Sequence, residues 1–288
     1  MKTIKDPLGG ITTHGYDAAG QQTSRTDPRG IATTYDYTDV GQLKTRSYPN
    51  DATVTMTYDE VGNRKTLVDG TGTNTFTYDE LDQMKTVENP DAKTITTTYD
   101  AASQRKTMTD PDGGVFTYSY DGAGKIDHLI NPDDDRTTYT YDAAGRETKK
   151  QLANGAYASM SYDAADRLSI LENLKSDDST ISSFSYTYDN VGNRKQLLED
   201  SGDTVAWDYD AAYRLTNATR VGSQAYNETM TYDAAGNRET LNAAGAMTTY
   251  TYNGANELET SKDAGGTTTY TYNGANELET SKDAGRPA

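Results

Sequence analysis

The sequence has no cysteine, only two histidines, one tryptophan and three phenylalanines among its 288 residues. Without cysteine, the chain has no disulfide, thiolate metal site or thiol redox chemistry. His14 and His128 stand far apart in the sequence, so a Ser-His-Asp arrangement would depend on one isolated histidine. We therefore predict no catalytic, cofactor-binding or metal-binding residues, no cofactor, and a protein that is not an enzyme.

Apolar side chains are also scarce. Leu, Ile, Val and Phe together make up about 12% of the chain, which carries a formal net charge of −17. This composition alone is typical of disordered segments. The phased tyrosines described below favour a folded chain instead, with a thin core in place of a thick two-sided one.

The excess of acidic residues disfavours anionic partners. A chain with a pI of about 4.5 repels nucleic acid and anionic membrane surfaces. No apolar run approaches the roughly 18 residues of a membrane span, and no signal peptide is visible in the first twenty residues. We predict no nucleic-acid partner and no membrane insertion. Export would use another route, or the chain is an internal piece of a longer protein.

What the chain does contain is a repeated tyrosine, most often in the pattern Tyr-Asp-x-x-Gly. Neighbouring motif tyrosines are 21 residues apart in seven of the twelve intervals and 20 apart in three more. The thirteen positions are Tyr16, Tyr37, Tyr58, Tyr78, Tyr99, Tyr120, Tyr141, Tyr162, Tyr188, Tyr209, Tyr232, Tyr252 and Tyr272. This period predicts a single array of about thirteen units over residues 1–288, with no separate second domain.

Each unit has the pattern of one β-hairpin. Its first strand alternates apolar and polar residues, as at Val54, Met56 and Tyr58, which indicates one buried face. In the turn, Asp can accept from backbone N–H groups, and Gly supplies the positive φ. A second turn, such as Asp27-Pro28-Arg29-Gly30, closes the unit. The predicted fold class is all-β: a repeat array of antiparallel β-hairpins forming a long curled or spiral sheet.

The motif supplies the structural site residues that we predict, taken from five representative units. They are Tyr58, Asp59, Gly62, Tyr120, Asp121, Gly124, Tyr141, Asp142, Gly145, Tyr188, Asp189, Gly192, Tyr232, Asp233 and Gly236. Six units lack the glycine and have another residue at its position. Asp82, Asp166, Asn256 and Asn276 tolerate left-handed geometry, whereas Ser103 and Tyr213 do so less readily, so we expect strain or a changed turn at those two.

Two further features depart from or add to the simple motif. Four units carry an Arg six residues after the Tyr, namely Arg64, Arg105, Arg194 and Arg238. Each Arg can lie along a Tyr ring and reach the turn carboxylates, or it can be solvated on the open face. Extra residues interrupt the period within 171–183 and before Tyr232, and we expect longer surface loops there.

The last two units share one sequence. Residues 248–265 recur unchanged at 268–285. In both copies an Asn, Asn253 or Asn273, replaces the usual Asp of the turn. This replacement keeps the turn geometry and removes a charge.

Three units, YDEVGNRKTL (58–67), YDNVGNRKQL (188–197) and YDAAGNRETL (232–241), resemble the YD repeat of the Rhs family. That family includes bacterial Rhs and wall-associated proteins, shell subunits of insecticidal toxin complexes, and teneurins. The resemblance covers nearly the whole chain and implies a hairpin ribbon wound into a spiral, which closes into a shell around a toxic fragment in long members. The sequence shows no counterpart of the family's self-cleaving C-terminal core or plug domain, so we expect an open coil.

Our leading hypothesis for function is a non-enzymatic structural scaffold: a YD-repeat β-ribbon in an extracellular or cell-surface assembly. Its partners would be copies of itself, stacked end to end into a fibre, or further repeats of a larger chain. One alternative is a fragment of a toxin-encapsulating Rhs shell. Another is a glycan-binding surface that uses exposed rings of the tyrosine stripe; Tyr48, Tyr157, Tyr213 and Tyr226 lie outside the repeat positions. The simpler alternative is that tyrosine only forms the thin core.

Overall fold

The computed structural model describes residues 1–49, 51–273 and 277–283, and the secondary structure there consists of 27 β-strands joined by tight turns. The strands are β1 (Lys2–Lys5), β2 (Ile11–Tyr16), β3 (Gln22–Thr26), β4 (Ala32–Tyr37), β5 (Leu43–Ser47), β6 (Val54–Tyr58), β7 (Arg64–Asp69), β8 (Gly72–Tyr78), β9 (Met84–Glu88), β10 (Thr94–Tyr99), β11 (Arg105–Thr109), β12 (Val115–Tyr120), β13 (Ile126–Ile130) and β14 (Arg136–Tyr141). They continue as β15 (Glu147–Gln151), β16 (Tyr157–Tyr162), β17 (Leu168–Leu174), β18 (Thr180–Tyr188), β19 (Arg194–Glu199), β20 (Thr204–Tyr209), β21 (Leu215–Val221), β22 (Tyr226–Tyr232), β23 (Arg238–Ala243), β24 (Ala246–Tyr252), β25 (Leu258–Asp263), β26 (Gly266–Tyr272) and β27 (Leu278–Asp283).

The chain divides into two compact units. Unit 1 contains Met1–Tyr78, Val87–Lys93 and Thr229–Ala288, and unit 2 contains Asp79–Thr86 and Thr94–Glu228. Within unit 1, β1 to β8 pair in succession, and so do β23 to β27. Within unit 2, β10 to β21 pair in succession. All of these pairings are antiparallel, so the predicted all-β array of antiparallel hairpins is confirmed.

The described turns after the motif tyrosines have the predicted geometry, as the turn at Asp17 illustrates. Its Oδ1 accepts from the backbone N–H groups of Ala19 at 2.9 Å and Gln21 at 2.8 Å. Gly20 adopts φ +84°, and the strand register shifts at Tyr16. A carboxylate and a left-handed residue thus close a tight turn with a following bulge.

Units without glycine keep the same turn. Asp82, Asp166 and Asn256 adopt positive φ as predicted. So do the two residues for which we expected strain or a changed turn, Ser103 at φ 63° and Tyr213 at φ 62°. Their amides still bond Asp100 O at 3.1 Å and Asp210 O at 3.0 Å, so the outcome is backbone strain and not a new turn. Asn276 lies outside the described residues.

The core is thin, as the composition predicts. The buried apolar side chains are Val54, Phe76, Val205 and Ala218, and none of the described residues is less than 2% exposed. Burial alternates along the first strand of several hairpins; in β24, Tyr250 and Tyr252 are half-buried whereas Thr249 and Thr251 are exposed. One face of aromatic rings therefore replaces the aliphatic core of a larger domain.

The two interruptions of the period do not form the long surface loops that we predicted. Instead, β17 and β18 lengthen to 7 and 9 residues, and Glu172 pairs with Ser183 and Asn173 with Ser182. The turn between them is short, with Lys175 N bonded to Ser179 O at 2.9 Å. Near Tyr232, residues 222–225 likewise separate two 7-residue strands. Extending the ladder satisfies the backbone groups that a loop would leave to water.

Unit 1 brings together segments that are remote in sequence. Arg29 bonds Glu257, 228 positions away, at 2.7 Å. Asn256 Nδ2 lies 3.4 Å from Asp6 Oδ2, and Asn273 Nδ2 lies 3.1 Å from Asp51 Oδ2. Turns of the first hairpins therefore meet turns of the last described hairpins, and the sheet of unit 1 is curled, as the fold class predicts.

Candidate functional site

The motif tyrosines join each hairpin to the one before it. Their hydroxyl groups donate to a backbone carbonyl oxygen 14 to 20 residues earlier, over 2.6 to 3.0 Å. Eleven bonds of this kind are Tyr37 to Gln22, Tyr58 to Leu43, Tyr78 to Arg64, Tyr99 to Met84, Tyr120 to Arg105, Tyr141 to Ile126, Tyr162 to Glu147, Tyr188 to Leu168, Tyr209 to Arg194, Tyr252 to Arg238 and Tyr272 to Leu258. We call this set the hydroxyl ladder.

The accepting carbonyl lies where the strand ladder stops. Between β3 and β4, pairing ends at Ser24 opposite Thr34, and Gln22 lies two residues beyond that point. Tyr37 Oη donates to Gln22 O at 2.9 Å. The hydroxyl thus supplies a bond just past the last rung between neighbouring hairpins. This role requires tyrosine, because phenylalanine would bury the same ring and leave the carbonyl unpaired.

Burial favours the protonated, donor form of five of these hydroxyls. It raises the pKa of Tyr120, Tyr141, Tyr188, Tyr209 and Tyr252 above the ordinary 10.0. At neutral pH the phenols are therefore protonated and can donate to the carbonyls.

A second contact joins neighbouring turns through the residue five positions after the tyrosine. In unit 1, Gln21 Nε2 donates to Gly41 O and Gln42 Nε2 to Gly62 O, both at 3.2 Å. In unit 2, Gln104 Nε2 donates to Gly124 O at 3.2 Å in the same way, and Arg146 at this position binds Asp166 Oδ1 at 2.6 Å. We call these contacts the turn ladder. Hairpins that make both contacts are thus bonded to the next hairpin at the strand end and at the turn.

Arginines at this position also hold their own turn. Arg146, Arg167 and Arg214 bond Asp142, Asp163 and Asp210 at 2.6 to 2.7 Å. The side-chain hydrogen bond from Arg146 lowers the pKa of Asp142, and the bond from Arg167 lowers that of Asp163. These carboxylates stay ionised well into the acidic range.

Arginines were also predicted six residues after the tyrosine, to lie along a ring and reach the turn carboxylates. The four arginines there make the ring contact only. Each lies over an aromatic ring, but the ring is the one two residues before the next motif tyrosine. The pairs are Arg64 over Phe76 at 4.5 Å, Arg105 over Tyr118 at 5.7 Å, Arg194 over Trp207 at 5.4 Å and Arg238 over Tyr250 at 4.5 Å. In the units of Arg194 and Arg238, the turn carboxylate is held instead by the asparagine one position earlier: Asn193 Nδ2 donates to Asp189 and Asn237 Nδ2 to Asp233, both at 2.9 Å.

An ion cluster in unit 2 ties β21 to the turn before β20. Arg220 binds Glu199 with two parallel bonds of 2.7 Å and Asp203 at 3.0 Å, while Ser223 also donates to Asp203. The hydrogen bond from Ser223 lowers the pKa of Asp203, and the bond from Arg220 lowers that of Glu199. Asp203 is only 7% exposed, so Gly222, which approaches it closely, has no room for a side chain.

Tyrosines outside the repeat do not share one surface role. Tyr157 Oη donates to Asp178 at 2.7 Å, and Arg46 lies 5.2 Å from the Tyr48 ring. Tyr213 fills a turn position and is 61% exposed, and Tyr226 begins β22. The structure brings none of these into contact with another, and a glycan-binding role for them stays a prediction.

Open grooves lie between neighbouring hairpins of unit 2. One of about 570 Å³ is lined by Asp100, Gln104 and Lys106, and one of about 180 Å³ by the equivalent Asp189, Asn193 and Lys195. An apolar cleft of about 250 Å³ lies beside the long β17–β18 hairpin. The first two lie at equivalent positions of two hairpins, so they offer similar chemistry at both.

The two histidines lie apart, and each contacts local neighbours. His128 Nδ1 lies 2.7 Å from Asp127 Oδ2 and 3.1 Å from Arg136, while His14 stacks 6.5 Å from Tyr16. In the described ranges, no group of three or more His, Asp or Glu side chains is placed to hold a metal ion. Nor does that part of the chain contain a helix that is long and apolar enough to cross a membrane.

Comparison with known families identifies the repeat. Residues 64–220, just over half of the chain, match the family described as Teneurin YD-shell. Residues 2–32, 16–53 and 232–268 match the RHS Repeat. No curated protein sequence matches the chain.

Solved structures share the fold. The Photorhabdus luminescens Tc holotoxin pore superposes with a TM-score of 0.77 at 18% identity, over 99% of this chain and 18% of that one. The TcdB2-TccC3 crystal structure superposes with a TM-score of 0.68 at 17% identity, over 97% of this chain and 20% of that one. The chain therefore spans about a fifth of the length of these relatives.

Proposed function

Because this chain belongs to the teneurin-type YD-shell and RHS-repeat family, a family of structural repeats, we propose that it is a length of shell wall. In this role it is a non-enzymatic scaffold that acts in an extracellular or cell-surface assembly. Its partners are further repeats of the same kind. The observation that carries the proposal is the hydroxyl ladder, in which each hairpin offers a carbonyl to the next and a phenol to the one before.

An added repeat tests this proposal. A further copy of residues 248–267 inserted after position 267 gives the new hairpin both a carbonyl to bind and a tyrosine to donate. Nearest-neighbour stabilisation predicts that its amides become protected from hydrogen exchange and that the melting midpoint does not fall. A control insert carries phenylalanine at the tyrosine equivalent to Tyr252. An inserted copy that stays unprotected would contradict a wall that grows by repetition.

The assembly itself has two candidate forms. The fold shared with the Tc toxin structures supports a wall segment of a toxin-encapsulating Rhs shell. The meeting of turns within unit 1 supports end-to-end stacking of copies into a fibre, because turn edges there bind each other. Electron microscopy of the purified protein at high concentration separates them. Filaments would favour the fibre, and discrete particles would favour the shell segment.

Two further proposals have simple tests. We propose that all thirteen repeats act as one array, so limited proteolysis should not release a stable fragment that matches unit 2 alone.

Glycan binding by the tyrosines outside the repeat would appear as heat in a calorimetric titration with neutral oligosaccharides. Absence of heat at millimolar ligand would remove that alternative.

A further inference from the structure

Two turns of unit 1 have the same sequence but different surroundings. Each has an Asn in place of the usual Asp and a Glu four residues later. Asn253 Nδ2 donates to Glu257 Oε2 at 2.7 Å, and the corresponding bond from Asn273 to Glu277 is 2.9 Å. An Asp at the first position would set two carboxylates against each other. The Asn therefore allows each turn to present a Glu.

The first of these twin turns receives a guanidinium group. Arg29 donates through Nη1 to Glu257 at 2.7 Å, and through Nε and Nη2 to Asp27 at 2.9 and 2.7 Å. The side chains of Arg29, Asp27 and Glu257 are 18%, 2% and 12% exposed. The planar fork of arginine binds both carboxylates at once, which the single ammonium group of lysine does less well.

The second twin has a different neighbour. Asn273 Nδ2 lies 3.1 Å from Asp51 Oδ2 as well as 2.9 Å from Glu277 Oε2, and Glu277 is exposed. At this turn the same amide therefore lies between two carboxylates. The same turn sequence thus binds the guanidinium of Arg29 at residues 253–257, whereas its second copy lies beside the carboxylate of Asp51.

We propose that Arg29 sets the register between the two chain segments of unit 1 by selecting the turn of Glu257 over its twin at Glu277. Backbone pairing does not distinguish the twins, because Tyr252 opposite Leu258 and Tyr272 opposite Leu278 have the same register. A slip by one hairpin would offer Arg29 an acceptor of identical chemistry. This inference deepens the scaffold function proposed above and rests on it.

The neighbours of Arg29 support the observed register. In it, Asn256 Nδ2 lies 3.4 Å from Asp6 Oδ2, in the turn one unit earlier. Gly10 approaches the same turn so closely that a Cβ there would lie 2.8 Å from Gly254 O. The partly buried fork and this close approach act together, since both hold the turn at 253–257, one against the turn at 27–30 and the other against the turn at 6–10.

Charge-reversal variants test the proposal, and the twin turn at Glu277 provides the matched control. The variants are Arg29→Glu, Arg29→Glu with Glu257→Arg, and Arg29→Glu with Glu277→Arg. Hydrogen exchange at residues 27–31 and 253–257 should quicken about tenfold in the single variant, because one partner of a partly buried pair is lost. We expect reversal at Glu257 to restore protection to within about twofold. Reversal at Glu277 should leave exchange as fast as in the single variant.

Two results would overturn the proposal: equal rescue by the two arginines, or unchanged exchange at 253–257 in Arg29→Glu. If the charge-reversed proteins do not fold, Arg29→Lys gives a milder readout, since it keeps the charge and loses the fork. Its exchange at 253–257 should be faster than in the parent, and parental rates would also overturn the proposal. Failure of the inserted-repeat experiment would not change these outcomes, because they concern turns already present.

Discussion

Two stretches of the molecule join their turns with different chemistry. In the first turns of unit 1, the neutral amides of Gln21 and Gln42 bond the backbone of the next turn. In unit 2, Gln104 still bonds the backbone of Gly124, whereas Arg146 further along makes an ion pair with the next turn and also binds its own turn at Asp142. The hydroxyl ladder is the same in both stretches. The comparison indicates that the ladder carries the fold, while the turn position needs only a side chain that donates a hydrogen bond.

The largest effect should come from removing a ring of the hydroxyl ladder, in either stretch alike. Tyr58 and Tyr162 each donate to a carbonyl at 2.7 Å. Tyr→Ala at either position should cost about 2–3 kcal/mol of unfolding free energy, because ring packing and the hydrogen bond are both lost. Tyr→Phe should cost about 1 kcal/mol, the value of the bond alone. Denaturant unfolding measures both.

Tyr213→Phe is the control for this experiment, because that ring is 61% exposed and lies outside the ladder. It should leave stability unchanged. The unfolding free energies lost at Tyr58 and Tyr162 should differ only as far as the burial of the two rings differs. A much larger difference would mean that the hydroxyl ladder does not stabilise the two stretches equally.

Relief of backbone strain should give the next largest effect, with the opposite sign. Ser103 and Tyr213 hold φ near +63° and +62°, where side chains are disfavoured. Ser103→Gly and Tyr213→Gly should each stabilise the protein by about 1 kcal/mol. The gain should appear as a higher midpoint in thermal unfolding. A loss of stability in Ser103→Gly would show that its side chain contributes more than the strain costs.

At acidic pH, a turn closed by an Asp carboxylate should lose more protection from hydrogen exchange than a turn closed by a hydroxyl. The pKa of Asp142 lies below its ordinary 3.8, mainly because of the hydrogen bond from Arg146. A lowered carboxyl pKa stabilises the fold above the ordinary value, and this stability is lost as pH falls through the folded pKa. Below about pH 4, amides of residues 142–146 should therefore lose protection.

The turn at Thr38 is the control, since its acceptor for Gln42 N is a hydroxyl at 3.1 Å. Hydrogen exchange, corrected for the intrinsic rate at each pH, compares the two turns. Equal losses of protection below pH 4 would contradict a role for the Asp142 carboxylate.

The smallest effect should come from exchanging the two kinds of turn contact. Arg146→Gln replaces the ion pair with the amide found at Gln42, and partly exposed ion pairs contribute little. The thermal midpoint should move by about 1 °C or less. Gln42→Arg is the reciprocal variant. A fall of many degrees in Arg146→Gln would mean that the charged stretch depends on its ion pairs and not on the hydroxyl ladder.

Local features of the fold could be predicted from the sequence because they depend on few residues. The period, the hairpins, the role of Asp17 in its turn and the positive φ of Asp82 and Asn256 follow from local patterns. The strands at 171–183 were predicted wrongly as loop. Glu172 and Ser183 carry no apolar signal, yet their backbones extend the ladder as well as any other pair.

Contacts between hairpins could not be predicted, since they depend on where the strands stop pairing. The tyrosine was expected to supply ring surface, and its hydroxyl partner follows only from the ladder that ends at Ser24. One sequence signal would have helped: a separation of about 15 residues between each tyrosine and the start of the preceding strand. The pair of Arg29 with Glu257 depends on the curvature of unit 1, which no local pattern encodes.

The hydroxyl ladder also has a direction, because every phenol reaches toward the amino terminus. During synthesis, a new hairpin leaving the ribosome would find the carbonyl acceptor for its tyrosine already folded. Such a sheet can fold cotranslationally, one hairpin at a time. Long unpaired stretches, with their risk of aggregation, would then be brief at every stage of translation.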